Sequence, residues 1–140
     1  MPRKSWNSAK IRFFKLDYER VMRALKGYAE NALLKGARAV ILVGSLARGD
    51  YTAFSDADII IIMEKAHKNP VKRLKDFIDP TLPIDVEPRV YTIHELLKMA
   101  REGRRIIREM LTYGKLLAGD KTIIKSLKEH LRQINGEREV

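Results

Sequence analysis

The sequence predicts an α+β domain, close to α/β in its element order: a small mixed β-sheet with flanking helices packed on one side. Three observations predict it. Two short apolar runs, Ala39 to Val43 and Asp58 to Met63, have the length and branched content of buried strands. A third stretch, Pro83 to Tyr91, alternates apolar with charged residues, as a strand with one wet face does. Segments of helical period precede, separate and follow these runs.

In chain order, residues 1–15 mix basic and aromatic groups (Arg3, Lys4, Trp6, Lys10, Arg12, Phe13, Phe14, Lys15) and read as a basic arm. A helix begins near Asp17: Tyr18, Val21, Met22, Leu25, Tyr28, Ala29, Ala32 and Leu33 recur at its period, and Gly36 follows its end. The two apolar strands come next. Asn69 and Pro70 then open a short helix as cap and first-turn proline, with Val71, Leu74, Phe77 and Ile78 on one face. After the alternating strand, Thr92-Ile93-His94-Glu95 forms a capping box for a helix carrying Leu96, Leu97 and Ala100. Helical periodicity resumes through Ile106, Ile107, Met110 and Leu111, with Gly103 as a kink or break. Asp120 caps a last helix bearing Ile123, Ile124, Leu127, Leu131 and Ile134. No repeat or linker divides the chain, so residues 1–140 read as one domain: an arm (1–15), a core (16–92) and C-terminal helices (93–140).

Composition narrows the function classes. The 28 Lys and Arg against 18 Asp and Glu give a formal net charge of +10, which favours an anionic partner without naming it. High charge density also fits a heat-adapted protein with surface ion-pair networks. The absence of cysteine excludes disulfide scaffolds, thiolate zinc sites and cysteine nucleophiles, and accords with a cytoplasmic address. The longest apolar run, Ile59 to Met63, is far short of a membrane span, and no basic-then-apolar leader opens the chain, so no membrane role is expected. His94-Glu95-Leu96-Leu97-Lys98 begins like a zinc-protease helix, but Lys98 stands where the second histidine would be.

The chemistry-bearing residues cluster between Gly44 and Asp58. Asp56 and Asp58 stand two apart at a strand entrance and therefore point to the same side. Two like charges about 5 Å apart at an effective dielectric of about 20 repel by about 3 kcal/mol. A hard divalent cation such as Mg²⁺ offsets that repulsion and keeps its other positions for water and phosphate oxygens. A lone Asp-x-Asp also reads as a polar turn whose aspartates cap the chain. Gly44-Ser45 follows a buried strand where the chain turns into a short helical segment ended by Gly49, and backbone N–H groups at such a turn cradle anions. Ser45 adds a hydroxyl donor, and Arg48, one turn on, could reach the same anion; a plain tight turn with a surface arginine is the bland alternative. No Gly-Lys-Ser/Thr follows, so the cradle is not a P-loop.

Together, Gly44-Ser45-Leu46-Ala47-Arg48-Gly49 and Ser55-Asp56-Ala57-Asp58 give the pattern Gly-Ser-x-Ala-Arg-Gly … Ser-Asp-x-Asp. This resembles the minimal nucleotidyltransferases of the DNA polymerase beta-like superfamily. The resemblance implies that Asp56 and Asp58 ligate two Mg²⁺ ions, and that Gly44 and Ser45, with Arg48 and Ser55 nearby, hold the phosphates of ATP or another nucleoside triphosphate. It implies a third carboxylate on a later strand, acting on the acceptor hydroxyl and completing the metal set. Glu87 and Asp85 are the candidates; Glu87 is preferred for its position five residues before Thr92, although Pro88 after it departs from the family pattern. The implied reaction moves an NMP, by family habit AMP, to a hydroxyl with release of pyrophosphate. Implied partners are a HEPN-type toxin, for which minimal members act as antitoxins, or an RNA acceptor; self-association into a homo-oligomer stays open. A non-catalytic nucleotide- or RNA-binding module is the alternative. Arg101, Arg104, Arg105 and Arg108 either line the nucleotide or an RNA acceptor or form a solvated helix face. The basic-aromatic arm either stacks on single-stranded nucleic acid or packs on the domain. Tyr51 and Phe54 either anchor the spacer loop or pack near the nucleotide.

Overall fold

The computed structural model describes the backbone of residues 2–139 and the side chains of residues 17–136. The order is α1 (Pro2–Leu34), β1 (Ala37–Val43), α2 (Gly44–Arg48), β2 (Ala57–Met63), α3 (Pro70–Leu74) running into a 3-10 turn (Lys75–Phe77), β3 (Val86–Thr92), α4 (Ile93–Arg101), α5 (Arg105–Tyr113), β4 (Lys115–Gly119) and α6 (Lys121–Glu139). The four strands form one mixed sheet in the order β3-β2-β1-β4. β1 is antiparallel to β2 and to β4, whereas β2 and β3 run parallel.

The two central strands are apolar throughout because both of their faces are covered. Val40, Leu42, Ile59 and Ile61 pack against α1 and α2 through Leu25, Ala29 and Leu46. Ala39, Ile41, Val43, Ile60 and Ile62 pack against the other helices through Leu96, Ile107, Met110 and Leu127. The helices therefore cover both sides of the sheet, not one. This is the usual reason a strand loses its polar alternation.

The expected capping box closes as drawn. The Glu95 N–H donates to Thr92 Oγ1 at 3.1 Å, and the Thr92 N–H donates to Glu95 Oε1 at 2.8 Å. Arg73, its side chain only 12% exposed, adds a clamp: Nη1 donates to Glu95 Oε1 at 2.7 Å and to the Val90 carbonyl at 3.2 Å. Asn69 caps α3 by accepting the Val71 N–H at 2.9 Å, and Asp120 accepts the Thr122 N–H at 2.9 Å at the start of α6.

Several expectations are corrected. α1 begins at Pro2 and not near Asp17; residues 3–16 contain no glycine or proline to stop it, and proline suits a first turn. The role expected for the side chains of the arm lies outside the described residues. β3 begins at Val86, three residues after Pro83. α3 tightens into 3-10 geometry after Leu74, so the helical face is not continued: Phe77 is buried, but Val71 and Ile78 are exposed. β4 was not expected. Its five residues extend the sheet beyond β1, with only Leu117 buried. Among the described residues no helix is long and apolar enough to cross a membrane.

Two-sided burial makes a direct forecast. Ile60→Ala and Ile61→Ala, on opposite faces of β2, should each destabilise by about 2–5 kcal/mol in urea denaturation. Val71→Ala should stay within about 0.5 kcal/mol of wild type.

Candidate functional site

Strand pairing brings the motif residues to one edge of the sheet. Val43, the last residue of β1, sits opposite Asp58 on β2, and Asp58 sits beside Glu87 on β3. The antiparallel β1–β2 pair puts the end of one strand next to the start of the other. The parallel β2–β3 pair then aligns a third strand entrance with them. A cradle following β1 and carboxylates opening β2 and β3 must meet there.

The cradle is built by Gly44. Its φ of +75° is the left-handed region that favours glycine, and a Cβ there would overlap the Asp58 carboxylate, lying 3.1 Å from Cγ. The glycine thus serves the turn and the close approach at once. α2 begins without a side-chain cap from Val43, which leaves its first N–H groups for an incoming anion. Ser45 Oγ donates to Ser55 Oγ at 3.1 Å, and Ser55 Oγ also accepts the Thr52 N–H at 2.8 Å. Ser55 therefore ties the spacer loop to the cradle. Tyr51 anchors the same loop by stacking on Tyr18, with ring centroids 5.0 Å apart and planes 9° from parallel.

The carboxylates are electrostatically coupled. The charge of Asp58, then desolvation, then a hydrogen bond with Asp58 and the charge of Asp56 all push the Glu87 carboxyl above its usual range; Arg89 opposes them. The register that sets Glu87 beside Asp58 accounts for this shift. Asp85 accepts the Ala57 N–H through its main-chain carbonyl at 2.8 Å, and it lines a neighbouring cleft of about 480 Å³ with Asp56 and Ser55. Asp17 of α1 and the exposed ring of Phe54 border that cleft as well. Asp17 carries no motif and lies far from the others in sequence, so only the fold could reveal it. Among the described residues, no group of three or more His, Asp or Glu is already gathered into a metal-binding cluster.

Arg48 turns toward α5, paired with Glu109 and, at 3.3 Å, with Asp50. Its guanidinium is thus engaged away from the cradle's first N–H groups. Arg104 pairs with Glu102 at 3.0 Å, while Arg105 and Arg108 lie with Arg48 along a separate groove. Glu95, the acid of the protease-like motif, is committed to the capping box.

The coupling fixes the sign of a pH effect. A carboxyl raised on folding stabilises the protein while protonated, and that contribution is lost as pH rises through its folded value. Without divalent metal, Glu87→Gln should therefore raise the thermal midpoint at neutral pH by about 1–3 °C, with the gap closing on acidification. Gly44→Ala should destabilise by about 1–2 kcal/mol from backbone strain alone, measured by denaturation, and more through displacement of Asp58.

The family model for a nucleotidyltransferase domain matches residues 23–134. No curated protein matches the chain. Solved structures resemble it at low identity. A candidate nucleotidyltransferase from Sulfolobus solfataricus is 24% identical over 71% of this chain and 80% of its own, with a TM-score of 0.49. A toxin-antitoxin structure with AMP-PNP is 15% identical over 81% and 86%, with a TM-score of 0.48. A structure of tri-AMPylated Shewanella oneidensis HEPN toxin in complex with MNT antitoxin is 14% identical over 89% and 92%, with a TM-score of 0.43. Since the matched residues span the cradle, the Asp pair and Glu87 alike, the chain belongs to the nucleotidyltransferase domain family.

Proposed function

We propose that this nucleotidyltransferase moves AMP from ATP to an acceptor hydroxyl in a Mg²⁺-dependent reaction, using Asp56, Asp58 and Glu87. The observation that carries the reading is the meeting of Gly44, Asp58 and Glu87 at one sheet edge. It gives a triphosphate cradle and a set of carboxylates a common border. The donor chemistry fits Mg²⁺: the oxygens are hard, and Mg²⁺ characteristically uses one or two carboxylates plus substrate phosphates, not a complete protein cage. Repulsion between Glu87 and Asp58 is what a bound cation would relieve. When bound, the metal supplies charge neutralisation on the phosphate oxygens.

The chain's own residues supply the rest. The N–H groups opening α2 hold the β- and γ-phosphates, joined by the Ser45 hydroxyl once its proton turns from Ser55 Oγ to a phosphate oxygen. The acceptor oxygen forms a bond to the α-phosphorus, the bond to the β-phosphate oxygen breaks, and pyrophosphate leaves. The acceptor proton passes to the Glu87 carboxylate, which the β2–β3 register sets beside Asp58. Asp85, turned to the adjoining cleft, would contact the acceptor or the nucleoside rather than the transferred phosphate.

Incubation with α-labelled nucleoside triphosphates and Mg²⁺, offering RNA and a HEPN-type protein as acceptors, tests this. Label should pass most readily from ATP. Asp56→Asn and Asp58→Asn should each lower transfer by about 10²-fold or more while the fold is retained. Undiminished transfer in either variant would remove that residue from the mechanism.

A further inference from the structure

α2 has two ends with opposite electrostatic character. Its start faces the carboxylates; its end, Arg48, opens on a groove of about 710 Å³ whose wall is α5. Arg105, Arg108 and Thr112 recur on one face of α5 at helical spacing. The two acids in this groove, Asp50 and Glu109, are both engaged by Arg48. Arg105 and Arg108 are exposed and make no ion pair with a described residue, so their guanidinium forks stay available. Arg108 also borders a second depression of about 400 Å³, together with Arg104. Two adjoining depressions sharing one arginine suit an extended anion better than a single small one. Tyr113 also lines the groove and is 49% exposed.

We propose that this α5 groove binds single-stranded nucleic acid, with Arg105 and Arg108 each taking a backbone phosphate and Tyr113 offering a base a stacking surface. Guanidinium forks match phosphate oxygens in pairs, and an exposed aromatic beside a cationic track is what a single strand uses. An acidic polypeptide would satisfy the arginines but has no planar base to place on Tyr113. The groove holds none of the catalytic carboxylates, so the proposal stands apart from the transfer chemistry.

Fluorescence anisotropy with a labelled single-stranded oligouridylate, across a salt series, tests it. Wild type should bind with a negative slope of log affinity against log salt. Arg105→Gln with Arg108→Gln should flatten that slope by about 1.4, two contacts at about 0.7 each for a single strand. Tyr113→Ala should weaken binding about tenfold, roughly 1.4 kcal/mol, within the range for one base–aromatic stack, with the slope unchanged. Lys125→Gln with Lys128→Gln, two exposed cations on α6, removes the same charge elsewhere and should leave binding near wild type. Equal weakening by the arginine and lysine pairs would overturn the groove assignment, as would no binding at moderate salt. So would poly-glutamate binding that depends on Arg105 and Arg108 while oligouridylate binding does not.

Discussion

The close approach of Gly44 to Asp58 is the constraint on which the rest of the site hangs. Main-chain pairing of β1 with β2 sets it, so the separation between cradle and carboxylate is fixed by a sheet ladder and not by flexible side chains. Such a ladder is rigid only if the strands are held on both faces. The alternating destinations of Ile59, Ile60, Ile61 and Ile62 provide that hold. The hydrophobic core supplies no chemical group, but it sets the tolerance within which the charged groups at this edge meet.

Electrostatics then divides the surface. The sheet edge concentrates Asp56, Asp58 and Glu87, with Asp17 and Asp85 around the adjoining cleft, so the excess positive charge of the chain lies elsewhere. The local field at the edge resists a polyanion unless a cation accompanies it. Arg48, held between Asp50 and Glu109, joins the helix that starts at the cradle to the helix that walls the groove. It works as a strut.

Much of this was legible in the sequence. The strands at Ala39 to Val43 and Asp58 to Met63, the turn at Gly44, the box at Thr92–Glu95 and the cap at Asp120 rest on local signals, and local signals survive folding. The family resemblance favours Glu87 over Asp85 as the third carboxylate; the β2–β3 register, which sets Glu87 beside Asp58, is a matter of strand pairing that the sequence does not show. What stayed hidden depended on distant partners. Lys115 to Gly119 lacks both a branched apolar run and a clear alternation to announce a strand; β4 exists because β1 offers it an unpaired edge. The exposure of Ile78 follows from the change to 3-10 geometry and then extended backbone after Leu74, which apolar spacing does not encode. Arg48's partner Glu109 is 61 residues away, so only the packing of α2 on α5 reveals that the arginine is occupied.

That late strand has a consequence for how the chain is made. The residues of β1 are synthesised early, yet one of its two neighbours is contributed by residues 115–119. Until those residues emerge, Val40, Ile41 and Leu42 present an unsatisfied row of main-chain donors and acceptors flanked by bare apolar side chains. A nascent or truncated chain ending before β4 offers a template for pairing with another copy of itself, the starting point of edge-to-edge aggregation. Completion of β4 thus protects this edge of β1 from the wrong neighbour as well as extending the sheet.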